Sequence, residues 1–95
     1  MEKTSTVITT RYKSVVDGYE IKYTATIRDG GSPEVSGTIS TGDTKVGHVF
    51  RQKDGPIGLN MDPGIPNETI KSISETCIVD TSAIIEDISG TVKSE

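Results

Sequence analysis

The chain has 95 residues, with 10 Lys or Arg and 14 Asp or Glu, which give a formal net charge of −4. This length suggests one domain with one modest core, and the short apolar runs exclude a transmembrane helix. A single cysteine, Cys77, excludes an internal disulfide framework. Since the first residues also lack a hydrophobic signal core, we expect a cytoplasmic protein without membrane contact.

Composition and charge favour a sheet followed by an acidic segment. Twelve Ile and eight Val stand against one Leu and two Ala, and β-branched residues favour strands. Residues 1–53 carry eight basic and six acidic side chains, whereas residues 54–95 carry two basic and eight acidic ones. We therefore expect a mildly basic N-terminal half and an acidic C-terminal half, either attracting each other or presenting a partner-binding face.

The first two strands are predicted by an alternating segment and the turn before it. Residues 19–28 alternate apolar and polar side chains, which is typical of a strand with one buried face. Asp17-Gly18 favours a two-residue type I′ turn, which needs positive φ at both central positions. A hairpin closed there begins near Thr4 and pairs Val16 with Tyr19, and the alternate residues of this register, most of them apolar, share one face.

The same test predicts the next hairpin. Gly and Pro residues at 29–34 end the second strand, and two further strands cover 35–41 and 45–52 around a turn at 42–43. A regular hairpin here would turn His48 and Phe50 toward the apolar face. The predicted cross-strand pairs on that face are Ile39 with Val46, Gly37 with His48, and Val35 with Phe50.

Residues 53–66 contain three Gly and three Pro, which oppose a long regular element. This segment also carries four apolar residues: Ile57, Leu59, Met61 and Ile65. They predict either a short fifth edge strand that closes the core or an exposed interface. We favour the interface, with a protein partner or a second copy of the chain bound to it.

From residue 67 to residue 89 the apolar spacing changes to three and four, which is typical of one face of a helix. Asn67 suits the N-cap, Glu68 the first turn and Gly90 the C-terminal stop, which leaves residues 91–95 as a frayed tail. Weak helix formers around Val79 leave open a helix broken there. The apolar stripe consists of Ile70, Ile73, Cys77, Thr81, Ile84 and Ile88.

The predicted fold is α+β: a four-stranded, or five-stranded, antiparallel meander with one C-terminal helix packed on its apolar face. It forms a single domain over residues 1–95, with the sheet at 4–52, the Gly/Pro loop at 53–66 and the helix at 67–89. Without the helix, one side of the sheet would be an exposed apolar surface.

The sequence offers no spacing that assembles a catalytic or metal site. His48 is the single histidine, and we interpret it as a packed or hydrogen-bonded structural residue. Cys77 lies on the helix stripe and is interpreted as a buried structural thiol. One Cys and one His fall short of a zinc site. We expect no catalytic residues, no metal site, no cofactor and no enzymatic activity.

The outer, wet face of the predicted sheet is basic and rich in hydroxyl groups. A solvated surface explains this pattern, and the functional alternative is contact with phosphates or an acidic protein surface. All aromatic residues point inward in these registers, so the outer face lacks a ring for base stacking. Its six predicted cations are Arg11, Lys13, Lys22, Arg28, Lys45 and Arg51.

The element order, four antiparallel strands and then one long helix, resembles the single-stranded-DNA-binding fold of the positive-cofactor family. In that family a short Ile-x-Leu segment precedes the helix, and residues 57–60, Ile-Gly-Leu-Asn, are similar. The chain departs from the family by its acidic C-terminal half and its Gly/Pro insertion after Asn60. We therefore do not assign it to that family.

These observations favour a small non-enzymatic binding protein that acts through protein–protein interaction. Adaptors and stoichiometric inhibitors have this character, including those encoded by mobile elements. The alternative is single-stranded nucleic-acid or nucleotide-phosphate binding through the basic outer face. A homodimer is a further expectation.

Overall fold

The computed structural model describes residues 7–28, 32–53 and 55–93, with side chains described as far as residue 89. Its five strands form one antiparallel meander in the order β1-β2-β3-β4-β5, and a C-terminal helix packs against one face. This confirms the α+β prediction with five strands. The elements are β1 (Val7–Val16), β2 (Tyr19–Arg28), β3 (Glu34–Thr41), β4 (Thr44–Gln52), β5 (Gly58–Met61) and α1 (Asn67–Lys93). The predicted strand start at Thr4 and the tail residues 94–95 lie outside the described residues.

The first hairpin has the predicted turn and register. Asp17 and Gly18 have φ values of 51° and 81°, as a type I′ turn requires. Val16 pairs with Tyr19, and the register continues without a shift to Val7 opposite Arg28. Ile21, Tyr23, Ala25 and Ile27 are consequently buried on one face.

The second hairpin has the predicted turn, but its predicted register is wrong by one residue. Thr41 pairs with Thr44 and Ser40 with Lys45, as a two-residue turn at 42–43 demands. A β-bulge then follows on β4, and Ile39 pairs with Gly47 instead of Val46. An extra residue on one strand turns all later side chains of that strand to the other face.

The bulge exchanges the two faces of β4. Val49 and Arg51 point to the inner face, and Val49 is 1% exposed. His48 and Phe50, predicted to point inward, lie on the outer face, where Phe50 is 42% exposed. Val49, not His48, lies opposite Gly37.

The helix α1 is continuous from Asn67 to Lys93, so it is not broken near Val79. It begins where predicted, with Glu68 in the first turn, but it does not end at Gly90, and residues 91–93 belong to it. Packing outweighs the weak propensity of its β-branched residues because its apolar stripe is buried against the sheet. The buried stripe contains Ile73, Cys77, Thr81, Ile84, Ile85 and Ile88.

The apolar residues of the Gly/Pro loop extend the core toward the β5 edge. Ile57, Leu59 and Met61 are partly buried and pack against the core cluster. Leu59 lies opposite Val49 and Met61 opposite Gly47, on the inner face. Ile65, between β5 and α1, is also partly buried.

Candidate functional site: the outer face of the sheet

The outer face is the side of the sheet opposite α1, and cross-strand pairing arranges its side chains in rows. Neighbours in a row are directly opposite each other on adjacent strands, so they lie within contact distance of a common ligand. The middle row is Lys13, Lys22, Thr38, His48 and Asn60. The adjacent row is Arg11, Thr24, Ser36, Phe50 and Gly58.

Cations dominate the β1–β2 side of this face. Glu20 lies between Lys13 and Lys22, with N–O distances of 3.4 and 3.5 Å. These lysines are 60% and 68% exposed, so each ion pair contributes little and both ammonium groups remain accessible to a partner. Within the described strands, the outer face carries two carboxylates, Glu20 and Glu34, against five cations: Arg11, Lys13, Lys22, Arg28 and Lys45.

An open groove of about 590 Å³ runs over this basic side. Arg11, Lys13 and Lys22 supply its positive charge, and Thr24 and Thr38 supply hydroxyl groups. The groove therefore combines cations with neutral hydrogen-bonding groups, which suits a shallow contact with an anionic surface.

The β4–β5 side of the face carries an aromatic ring. Phe50 is flanked in its row by Ser36 and Gly58, whose small size leaves the ring accessible. His48 lies in the adjacent row, with its Nε2 atom 3.4 Å from Asn60 Nδ2. The sequence analysis places Phe50 and His48 on the inner face because it assumes a hairpin without a bulge. Adjacent apolar residues at 49–50 were the available signal, since alternation allows either of them to point inward.

Arg51 does not belong to this face, contrary to the prediction. Its Nη1 atom donates to Thr81 Oγ1 at 3.0 Å and to Ser82 Oγ at 2.7 Å, and it lies 3.4 Å from the Ile78 carbonyl oxygen. Because the bulge turns Arg51 inward, the guanidinium group links β4 to α1.

On the inner side, hydroxyl donors on β1 and β2 bind two carboxylates of α1. Tyr12 Oη donates to Asp87 Oδ2 at 2.5 Å. Ser14 Oγ and Tyr23 Oη both donate to Asp80 Oδ2, at 2.6 and 2.9 Å. The residues that form these bonds line a cleft of about 310 Å³ between β1 and α1. The sequence alone does not indicate Asp80 or Asp87, because their contacts depend on how α1 is placed against β1 and β2.

Burial and the nearby carboxylates hold these hydroxyl groups in the neutral form. Burial, and then the hydrogen bond and charge of Asp87, raise the pKa of Tyr12 to about 12. Burial also raises the pKa of Tyr23, with Cys77 and Asp80 contributing. The Cys77 thiol is fully buried, and its burial raises its pKa.

His48 and Cys77 lie on opposite sides of the sheet, so the structure does not bring them together. Among residues 7–28, 32–53 and 55–93, no three His, Cys, Asp or Glu side chains are arranged to hold a metal ion. None of the helical segments in these same ranges is both long and apolar enough to cross a membrane.

Comparison with known proteins finds no matching family model, no matching curated protein and no matching solved structure. The resemblance to the positive-cofactor fold consequently remains one of element order and a four-residue segment.

Proposed function

We propose that this chain is a small non-enzymatic binding protein that contacts an acidic protein partner through the outer face of the sheet. In this role it acts as an adaptor or a stoichiometric inhibitor. A cytoplasmic setting belongs to the same proposal, because the single cysteine is a free thiol.

The separation of charge between the two sides of the molecule carries this proposal. Among the strand residues that the structure describes, the outer face has five cations against two carboxylates, whereas residues 67–89 of α1 have one lysine against five carboxylates. In a chain of net charge −4, a basic face of this kind gives a partner one preferred orientation.

The test is capture of partners from a nuclease-treated extract of the source cells, followed by mass spectrometry. Reversing two outer-face charges, in Lys13→Glu with Lys22→Glu, should abolish capture of the specific partner. The matched control, Lys53→Glu with Lys71→Glu, has the same net charge but changes residues away from the outer face, and it should retain the partner. Equal loss in both variants would contradict the proposed surface.

A second candidate, single-stranded nucleic-acid binding, is favoured by the position of Phe50 and His48. Cations at one side of a row and an exposed aromatic ring at the other can engage phosphates and a base. This removes the sequence-based argument against nucleic acid, which was that every aromatic residue points inward.

Salt dependence separates the two candidates. If single-stranded DNA engages about three or four of the outer cations, log affinity should fall with log salt with a slope of about −2 to −3. Phe50→Ser should then weaken an oligothymidine by about tenfold or more, since stacking on a ring contributes roughly 1–3 kcal/mol per base. An oligothymidine that does not bind at low salt would eliminate this candidate.

A homodimer through Ile57, Leu59, Met61 and Ile65 also remains a proposal. Because three of these residues pack against the core, Ile57→Ser with Leu59→Ser must be checked for folding by hydrogen exchange. A folded variant that becomes monomeric by light scattering would support the dimer. A wild type that is already monomeric would contradict it.

A further inference from the structure

We propose that the edge strand β1, which pairs only with β2 among the described strands, binds an extended segment of the protein partner as an additional antiparallel strand. This inference rests on the proposed function and goes further, because it assigns the conformation and the charge pattern of the bound segment.

The two edges of the sheet differ in their capacity to accept another strand. β5 has four residues and lies between Pro56 and Pro63, which restrict pairing beyond it. β1 has ten residues, contains no proline and pairs with β2 without a register shift. A long, regular edge of this kind is a template for β-augmentation.

The hairpin geometry determines which backbone groups of β1 are available. Val16 and Tyr19 flank the two-residue turn and form a hydrogen-bonded pair, and such pairs recur at every second residue. The residues between them point their N–H and C=O groups away from β2. On β1 these residues are Val7, Thr9, Arg11, Lys13 and Val15, whose side chains lie on the outer face.

The outer side chains of this edge favour acidic residues flanked by apolar ones. Arg11 and Lys13 lie in the middle of the strand and border the basic groove. Val7 and Val15, near its ends, are 51% and 66% exposed. An added strand would place two outward side chains opposite the cations and two opposite the valines, each within cross-strand contact distance.

The inner side of the same edge has the opposite charge. The cleft between β1 and α1 opens beside Tyr12 and Ser14, and Asp80 and Asp87 line its helix side. A carboxylate has about four acceptor sites, so Asp80 can accept from a ligand while it binds Ser14 and Tyr23. Inward side chains of the added strand should therefore be basic, with the Tyr12 ring available for a cation–π contact.

The bound segment thus alternates acidic outward residues with basic inward residues. A second copy of β1 does not meet this requirement. In the two symmetric antiparallel registers that overlap nine residues, Arg11 lies opposite its own copy or opposite Lys13, and like charges directly opposite are destabilising. The charge pattern points to a segment of a different protein.

The probe is a synthetic peptide, Val-Arg-Glu-Arg-Glu-Thr-Thr-Ile-Val, designed to pair antiparallel with residues 7–15. Its control has the same composition with the two Glu adjacent and the two Arg adjacent, so that no register places both Glu on one face. By fluorescence anisotropy, the alternating peptide should bind about tenfold or more tightly than the control.

Amide hydrogen exchange by NMR gives a second, site-resolved readout. In the free protein the amides of Thr9, Arg11 and Lys13 should exchange faster than those of Thr10 and Tyr12, which bond to β2. The alternating peptide should selectively slow exchange at the first three. Equal affinity of the two peptides, or protection spread over the outer face without the β1 edge, would overturn the inference.

A proline variant separates this inference from the proposed function. Thr9→Pro removes one N–H group from the edge of β1. It leaves every cation in place and breaks no hydrogen bond to β2. With the fold checked by circular dichroism, it should lose the alternating peptide. If Thr9→Pro binds the peptide normally while the Lys13→Glu, Lys22→Glu variant loses the cellular partner, strand addition is wrong and the outer-face proposal stands.

Discussion

Tyr23 shows how one residue connects the sheet to the helix. It is 1% exposed, its ring lies beside Gly37, and its hydroxyl donates to Asp80. A side chain at position 37 would approach Tyr23 Cδ1 to 3.1 Å and Val49 Cγ1 to 2.8 Å, so the glycine makes room for this packing. Tyr23 is therefore a core residue with a satisfied polar end.

Truncation of Tyr23 should be severe and truncation of its neighbour mild. Tyr23→Ala is expected to lower the free energy of unfolding by roughly 3–4 kcal/mol, because it leaves a cavity and removes the donor to Asp80. The exposed Lys22→Ala should lower it by less than about 0.5 kcal/mol. Urea titration measures both, and equal losses would mean that β2 presents the other face to the core.

Burial of the Tyr12 hydroxyl, together with its hydrogen bond to Asp87, predicts an alkaline limit to stability. The pKa of Tyr12 is raised from about 10 in the unfolded chain to about 12, so the folded state favours the neutral phenol. Its contribution is complete below pH 10 and should be lost as the pH rises through 12. Tyr12→Phe should reduce this contribution at neutral pH and flatten the fall in melting temperature between pH 10 and 12. An unchanged alkaline profile in Tyr12→Phe would contradict a raised pKa of Tyr12 in the folded state.

Arg51 should behave as a structural residue and not as a surface cation. Arg51→Ala removes the donor to Thr81 and Ser82 and is expected to cost about 1–3 kcal/mol of unfolding free energy. Arg28→Ala removes an exposed cation that is 3.8 Å from Glu34, and should cost less than about 0.5 kcal/mol. Chemical denaturation measures both variants, and equal stability of the two would contradict the structural role of Arg51.

At the scale of elements, β4 and β5 approach each other closely at Gly47. A Cβ atom there would clash with the Asn60 backbone oxygen and lie 2.8 Å from Met61 Sδ, whereas one at Gly58 would meet only the Phe50 oxygen at 3.7 Å. Gly47→Ala should therefore detach β5 and speed amide exchange at residues 59–61. Gly58→Ala is the control and should leave that exchange unchanged. Similar exchange in both variants would contradict the bulged register.

The sequence predicts an element well where local chemistry and long-range packing agree. Asp17-Gly18 favours one turn type, and the register that it sets buries a continuous apolar face, so the predicted first hairpin is correct from Val7 to Arg28. The helix over residues 67–89 is predicted correctly because the three-four spacing of its apolar stripe outweighs the weak helix formers near Val79, whereas its predicted end at Gly90 is wrong. The predicted register of the second hairpin is wrong beyond its turn. The turn residues 42–43 do not indicate that a bulge follows on β4. Asp80 and Asp87 were missed because their partners, Tyr12, Ser14 and Tyr23, are more than 50 residues away.

For the whole molecule, the long helix packed along the sheet produces an elongated body. Its extents are 52 × 23 × 18 Å, and the 27-residue helix is about 40 Å long at 1.5 Å per residue. The basic and acidic sides are therefore long parallel surfaces separated by the thickness of the sheet and helix. A partner attracted to one side is repelled by the other, which restricts the orientations of a productive encounter.

Because Cys77 is fully buried, its reactivity toward a thiol reagent reports on unfolding. A thiol reagent can reach this side chain only when α1 separates from the sheet, so the alkylation rate measures the population of opened molecules. We expect alkylation to accelerate about tenfold for each 1.4 kcal/mol by which a substitution destabilises the closed state. Alkylation of the native protein at the rate of a free thiol would contradict the burial. One reagent and one mass measurement can thus rank the stability of every variant proposed above without a chemical denaturant.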